Sequence, residues 1–207
     1  VEAGAAGGED TAISAAFWPK CRIFAFEPVP HSYQRLAAAV APYPNVSAIP
    51  MGLFNRSGET KMHLSNNGFG SSSILKPTGH LTFHPSVKFD EQITIRVTTL
   101  DLFAAEHGLS AVDFLWLDMQ GAELAALKEG EQMLTTVCAI HMEVSLKPTY
   151  EHAPLYPEVR SWLKARGFSV ANEALPYRDM GNVLFVNNAN LRRRRDRPVK
   201  SGASAKL

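Results

Sequence analysis

The first eleven residues, Val1-Glu2-Ala3-Gly4-Ala5-Ala6-Gly7-Gly8-Glu9-Asp10-Thr11, read as a glycine-rich turn joining a strand to a helix. An apolar run, Ile23-Phe24-Ala25-Phe26, then delivers Glu27. An acid about twenty residues beyond a glycine-rich turn is how open α/β sheets hold nucleoside cofactors. The bare backbone admits the ligand, and the carboxylate accepts hydrogen bonds from ribose hydroxyls. Two more acids stand at the ends of apolar runs, Asp118 after Phe114–Leu117 and Glu143 in Cys138–Val144. Asp118, Glu143 and His141 are the side chains placed to orient an acceptor or take its proton.

Glycine spacing separates two cofactor classes. A dinucleotide turn wants G-x-G-x-x-G. Counting from Gly4, the second glycine position holds Ala6 and the third holds Glu9. What stands instead is acid-x-Gly-x-x-x-Gly: Glu2, Gly4, Gly8. Glu2, Glu9 and Asp10 would repel a pyrophosphate, which needs bare N–H groups at a helix start. They suit a cationic ligand bearing an amino group and a sulfonium, such as S-adenosylmethionine (SAM). NAD(P) on a similar sheet, serving an oxidoreductase, remains the alternative at this point.

Each candidate has a plainer reading beside it. Gly4 and Gly8 are also what a turn with positive φ requires. Asp118 either faces the reacting centre or caps a helix starting at Gln120. Glu123 reads as a first-turn acid favoured by the helix dipole rather than as a catalyst. Glu143 and His141 share one face of their strand. Glu143 lies nearer the carboxyl end, and a lone histidine in an apolar strand is first a packed core residue. Asp118 and Glu143 are two oxygen ligands, too few to indicate a divalent ion, so no metal site is assigned.

The elements that must position these groups alternate. Strands are expected at Val1–Ala3, Cys21–Phe26, Val46–Leu53, Phe114–Leu117, Cys138–Val144, Phe168–Ala171 and Asn182–Val186. Helices fall between them: Gly8–Phe17, Pro30–Val40, a stretch from Thr99 to about Gly108, Ala122–Leu134 broken at Gly130, and Leu155–Arg166. Thr60–Leu64 reads as a hairpin arm after the Asn55–Glu59 turn, and Ile93–Val97 as a half-exposed strand. Residues 65–92 form a long polar segment suited to closing over a site. Such alternation argues a mostly parallel sheet covered on both faces, with ligands at the carboxyl ends of its strands.

The chain has 207 residues, 45% of them hydrophobic and 20% charged, which fits one globular domain over residues 1–190. Arg192–Arg195, Arg197, Lys200 and Lys206 load residues 191–207, read as a basic, disordered tail. A net charge of +1 argues against a nucleic-acid surface. Cys21 and Cys138 read as buried, reduced thiols, and Trp18, Trp116 and Trp162 as packing residues. No run reaches the ~20 apolar residues of a membrane span, and no signal peptide is visible, so a cytoplasmic protein is expected. The chain opens inside its first strand, which is therefore expected to be truncated.

Four segments in fixed order carry a resemblance: Val1–Thr11, Phe24-Ala25-Phe26-Glu27-Pro28, Thr98-Thr99-Leu100-Asp101, and Leu117-Asp118-Met119-Gln120-Gly121-Ala122-Glu123. From Val1 to about Val186 the chain resembles the FkbM-type SAM-dependent methyltransferases. The resemblance implies a Rossmann-like class I methyltransferase fold: a seven-stranded, mostly parallel sheet with helices on both faces and an antiparallel last strand. It implies SAM as cofactor and a hydroxyl as acceptor, on a small molecule or saccharide. The cofactor positions are then Glu2, Gly4, Ala5, Gly8, Glu27, Pro28, Gly52, Leu53 and Asp118, with Gly52-Leu53 lining the adenine. Where the family usually has Asp and Asn in the first loop, this chain has Glu2 and Ala6. A SAM-binding module without catalysis is the second alternative.

Overall fold

The computed structural model describes residues 1–196. In chain order the elements are β1 (Glu2–Ala3), α1 (Glu9–Phe17), β2 (Ile23–Phe26), α2 (Pro30–Val40), β3 (Val46–Ile49), β4 (Gly52–Leu53), β5 (Gly58–Leu64), α3 (His80–Phe83) and β6 (Glu91–Thr98). They continue with α4 (Leu100–Glu106), β7 (Phe114–Leu117), α5 (Glu123–Lys128), α6 (Glu131–Leu134), β8 (Ala139–Ser145), α7 (Tyr156–Lys164), β9 (Ser169–Ala174), β10 (Met180–Val186) and α8 (Asn188–Arg195).

Seven strands make one sheet in the order β3-β2-β1-β7-β8-β10-β9. Strands β3, β2, β1, β7 and β8 pair in parallel, and β10 runs antiparallel to both its neighbours. This is the expected seven-stranded, mostly parallel methyltransferase sheet. Chain order turns round between β1 and β7, so a crevice opens at their carboxyl ends, where open α/β sheets bind ligands.

Apolar residues on alternate positions build the two faces. Phe26, Leu115, Leu117, Ile140 and Met142 are buried with Phe103 of α4, Leu124 of α5 and Leu163 of α7. On the other side, Ala5, Ala25, Leu36 and Val40 pack α2 against the sheet. Thr99 caps α4 as expected, its Oγ1 accepting from Leu102 N at 3.2 Å. Gly130 breaks the next helix into α5 and α6, also as expected.

Several expectations are corrected. Val46–Leu53 is not one strand. Pro50 supplies no N–H for pairing, and the chain turns there, with Met51 N donating to Ile49 O. Strand β3 therefore joins the main sheet and β4 a second, three-stranded sheet of order β4-β6-β5. The Thr60–Leu64 arm finds its antiparallel partner in β6, across the whole 65–90 segment, rather than in the strand before it. That segment is tied down: it carries α3, and it bridges through His63–Ser73 and Pro77–Tyr150.

Cys21 is exposed, because it sits in the turn between Pro19 and β2, whereas Cys138 is buried. Trp18 is 44% exposed at the end of α1, outside the core, but its ring packs against Phe17 and Phe114. Residues 188–195 form α8, not a disordered start to the tail. Asn187 caps this helix, Asn190 Nδ2 donates to Val137 O at 2.8 Å, and Arg194 pairs with Asp113. Residues 197–207, the rest of the expected tail, lie outside the described residues. Among the described residues no helix is long and apolar enough to cross a membrane.

Candidate active site

Glu27 ends β2 and is buried, yet both its oxygens are satisfied by backbone. Oε2 accepts the Ala6 N–H at 2.9 Å and Oε1 accepts the Val29 N–H at 2.8 Å. Burial pushes its carboxyl up to about 7 against the help of those two N–H groups. Each oxygen keeps a second lone pair, so the group can still accept from a ligand diol.

The turn after β1 is wedged between β2 and β7. Gly4 N and Ala5 N both donate to Phe26 O, at 3.1 and 3.0 Å, while Asp118 N donates to Ala3 O at 2.9 Å. Gly4 has φ +84°, and a Cβ there would stand 1.8 Å from the Asp118 carbonyl oxygen. Its missing side chain thus serves the β1–β7 junction. Gly8, at φ +86°, has the same kind of role between helices, since a Cβ would meet Leu36 Cδ1 at 2.8 Å.

A cavity of about 190 Å³ opens over this turn. Gly4, Ala6, Glu27, Pro28, Gly52, Leu53 and Asp118 line it, and Val29, Met62, Phe69 and Ile74 give it an apolar end. The structure therefore gathers six of the sequence-assigned cofactor positions: Gly4, Glu27, Pro28, Gly52, Leu53 and Asp118. Glu2, Ala5 and Gly8 do not line it. Glu2 is buried on β1, where its Oε2 accepts from Thr11 Oγ1 at 2.7 Å and braces α1, with burial raising its carboxyl. Ala5 packs against the Ala25–Leu36–Val40 cluster.

The pairing of Leu117 with Met142 sets Asp118 beside Glu143 at the next step of the parallel register. Gln120 lies between them. Its Nε2 donates to Asp118 Oδ1 at 2.9 Å and to Glu143 Oε2 at 3.0 Å. Asp118 lines the cavity, and Glu143 stands behind the amide. Burial is the largest force raising both carboxyls; the negative charges of Asp118 and Glu123 drive Glu143 further up. Helix α5 starts at Glu123, not Gln120, so Asp118 is no helix cap. Glu123 is the residue that accepts backbone N–H groups, from Met119 at 2.7 Å and Gly121 at 3.2 Å. Its burial pushes the carboxyl up to about 7.

Asp118, Glu123 and Glu143 have oxygens within 4.8 Å of one another. Their inward lone pairs face N–H donors, with the Gln120 amide nitrogen standing where a cation bridging Asp118 and Glu143 would have to sit. The donor set is that of a hydrogen-bonded acid cluster, and we assign no ion to it.

His141 is two residues nearer the amino end of β8. Its ring meets Trp116 edge-on at 4.8 Å between centroids, and its Nδ1 is buried with no partner among the described residues. Burial lowers its pKa. It does not reach the cavity lining.

Two residues were not among the assigned site positions. Gln120 reads in the sequence only as a motif residue and the start of a helix; its place between the acids follows from the turn that stands there instead. Tyr150 reaches the same point from far along the chain, its hydroxyl 2.8 Å from Ser71 O and 3.0 Å from Gln120 Oε1. From composition Tyr150, with His152 and Tyr156, reads as lining a sugar-binding edge, but no local signal announces its contact with Gln120.

Five parallel strands reversing in order between β1 and β7, with an antiparallel β10 inserted between β8 and β9, have the class I methyltransferase fold. The family comparison goes further: residues 2–170 match the methyltransferase FkbM domain. The chain belongs to the FkbM methyltransferase family. It is 31% identical over 158 residues to the 2-O-methyltransferase NoeI of Sinorhizobium fredii, covering 73% of this chain and 65% of that protein. It is 25% identical over 197 residues to the methyltransferase sdnD of Sordaria araneosa, covering 84% and 74%.

Among solved structures, the FkbM methyltransferase of Methylobacillus flagellatus superposes with a TM-score of 0.57 at 15% identity, over 89% of this chain and 42% of that one. A fibrillarin/Nop5p complex chain gives 0.52 at 16% identity, over 90% and 70%. These two likenesses speak to the fold. The chain thus spans just under two thirds of NoeI and less than half of the solved FkbM protein.

Proposed function

We propose that this protein transfers the methyl group of SAM to a hydroxyl oxygen, on a saccharide or another small hydroxylated molecule. The observation that carries the reading is one cavity with Glu27 at one end of the β1 turn and Asp118 at the other. A ribose diol suits the first carboxylate and a sulfonium-bearing amino acid the second. The apolar end at Val29, Leu53 and Met62 suits the adenine. Ala6 has no polar side chain to offer the ligand, and its N–H is spent on orienting Glu27.

When bound, the cofactor supplies a methyl already activated on sulfur. The protein's own work is to hold the acceptor oxygen in line and accept its proton. Asp118 is the group for that step, because it faces the cavity, while Glu143 sits behind it and is driven further toward its protonated form. His141, without reach into the cavity, has no part in it. A hydroxyl oxygen as the methylated atom follows the NoeI relative, whose name makes it a 2-O-methyltransferase, and the saccharide or small molecule follows the family resemblance.

The test is a calorimetric titration with SAM, its demethylated product S-adenosylhomocysteine, and NAD. It is followed by transfer of a labelled methyl from SAM to a panel of methyl glycosides. SAM and S-adenosylhomocysteine should bind and NAD should not. Label should enter a hydroxyl, and Asp118→Asn should lower the rate ~10²-fold or more. NAD binding in place of SAM would restore the oxidoreductase reading, and SAM binding without label on any acceptor would leave a binding module.

A further inference from the structure

Gln120 is one of four non-glycine residues with positive φ among those described, at +54°. A left-handed backbone at such a residue costs about 1 kcal/mol and persists only where its surroundings hold it. Here they do: Ser73 Oγ donates to Gln120 O at 2.8 Å, fixing the main chain from the second sheet's side. The side chain is buried and fully used. Its two N–H hydrogens go one each to Asp118 and Glu143, and its Oε1 shares the single Tyr150 hydroxyl proton, at 3.0 Å, with Ser71 O at 2.8 Å. An ionised Asp118 accepts only, so the amide sets its nitrogen toward the acids and its oxygen toward the Tyr150 hydroxyl.

We propose that Gln120 is the positioning residue of this site: its amide bridges Asp118 and Glu143, keeps Asp118 available as a carboxylate facing the cavity, and is locked by Tyr150. The proposal rests on the reading of Asp118 given above. Two acids this close and this buried cannot both ionise freely, since each negative charge raises the other. The remaining charged neighbours make it worse. Glu123 faces the pair from α5, Asp179 from the turn before β10 and Asp10 from α1; only His141, on β8, pulls Asp118 the other way. A neutral side chain giving one N–H to each carboxyl is the group that offsets this without adding a charge of its own. A glutamine set by a distant tyrosine also ties the acid pair to the 65–92 segment, because the same hydroxyl meets Ser71 O.

The test is a pH titration of ligand-free protein carrying ¹³C at the Asp and Glu carboxyls, followed by NMR. Wild type is compared with Gln120→Met, which keeps the volume and removes the donors, and with Tyr150→Phe, which removes the lock together with the Ser71 contact. Gln120→Met should raise the Asp118 midpoint by about one pH unit or more. Tyr150→Phe should raise it less, in the same direction. A purely structural role would lower the melting temperature and leave the midpoints alone. Wild-type midpoints for Asp118 and Glu143 in either folded variant overturn the proposal. Should Gln120→Met not fold, Tyr150→Phe decides. Calorimetry with S-adenosylhomocysteine runs alongside: absent binding to wild type defeats the functional reading, whereas unmoved midpoints defeat only the role of Gln120.

Discussion

Glu27 Oε2 accepts the Ala6 N–H at 2.9 Å, so the acid ending β2 and the turn after β1 are one unit. The carboxylate does two jobs at once. It fixes the shape of the turn, and it presents its free lone pairs to the cavity. Replacing it should therefore cost both stability and affinity.

Glu27→Gln makes that separable. The amide oxygen can serve Ala6 or Val29 but not both, and its NH₂ faces the other donor. A charge-assisted bond to a ligand is worth about 1.5–3 kcal/mol, so S-adenosylhomocysteine should bind roughly ten- to a hundredfold more weakly at pH 8. Calorimetry checks this. Unchanged affinity would remove Glu27 from the cofactor site and leave it a brace.

The raised pKa gives the same residue a pH signature. The carboxyl titrates at about 7 in the folded protein against 4.5 for the ordinary group. Between those values the folded state holds a proton that the unfolded chain has released. Glu27 therefore stabilises the fold fully below about pH 4.5, and that contribution is lost as pH rises through 7. Other groups oppose it: burial lowers His80 and His141, so both favour the folded state as pH rises. The difference in unfolding free energy between wild type and Glu27→Gln isolates the one carboxyl. It should fall by about 3 kcal/mol from pH 4.5 to pH 8 in denaturant titrations. Affinity should run the opposite way, since ribose hydroxyls prefer the ionised acid: wild type gains S-adenosylhomocysteine affinity from pH 6 to 8, and Glu27→Gln stays flat. A pH-independent stability difference would show that Glu27 does not titrate near 7.

The ends of β2 and β7 at Glu27 and Asp118, and the alternation of strands and helices, were legible because their signals are local: an apolar run, then an acid. The glycines were legible as glycines, but their reason was not. Gly4 and Gly8 read as room for a ligand or as a positive-φ turn; both do have positive φ and Gly4 lines the cavity, but they also make room for Asp118 O and for Leu36. Only the packed neighbour, which lies 114 and 28 residues away in numbering, reveals that. The same holds for the pairing of β5 with β6, and for Tyr150 meeting Gln120 across thirty residues. Contacts closed over long loops leave no periodicity to read. Pro50 was visible, yet nothing nearby said that the strand after it would join another sheet.

The two glycines should separate by what blocks them. Gly4→Ala sets a methyl 1.8 Å from a backbone oxygen at a positive φ, and neither strand can move without breaking the sheet. It should prevent folding or leave no cooperative melting transition. Gly8→Ala meets first the tip of Leu36, a side chain that can turn away, so a loss of about 1–3 kcal/mol is expected with cofactor binding retained. Thermal melts of both variants check the order. A well-folded Gly4→Ala protein would show that the β1–β7 junction is looser than described.

Asp101 closes the Thr98-Thr99-Leu100-Asp101 segment that helped to mark the family, but it points away from the site. Its Oδ2 accepts Gln132 N at 3.0 Å and its Oδ1 accepts Met133 N at 2.9 Å, so an acid from α4 caps the start of α6. Gly130 makes the approach possible, since a Cβ there would meet Leu100 Cβ at 2.9 Å. Negative charge at a helix start is favourable, and losing such a cap costs about 1–2 kcal/mol. Asp101→Ala should thus lower the melting temperature by about 2–8 °C for a chain of this length. Asp101→Asn, which keeps one acceptor, should lose about half as much. S-adenosylhomocysteine affinity should not change in either. Loss of affinity at an unchanged melting temperature would instead make this acid part of the cofactor site, and the α4–α6 contact incidental.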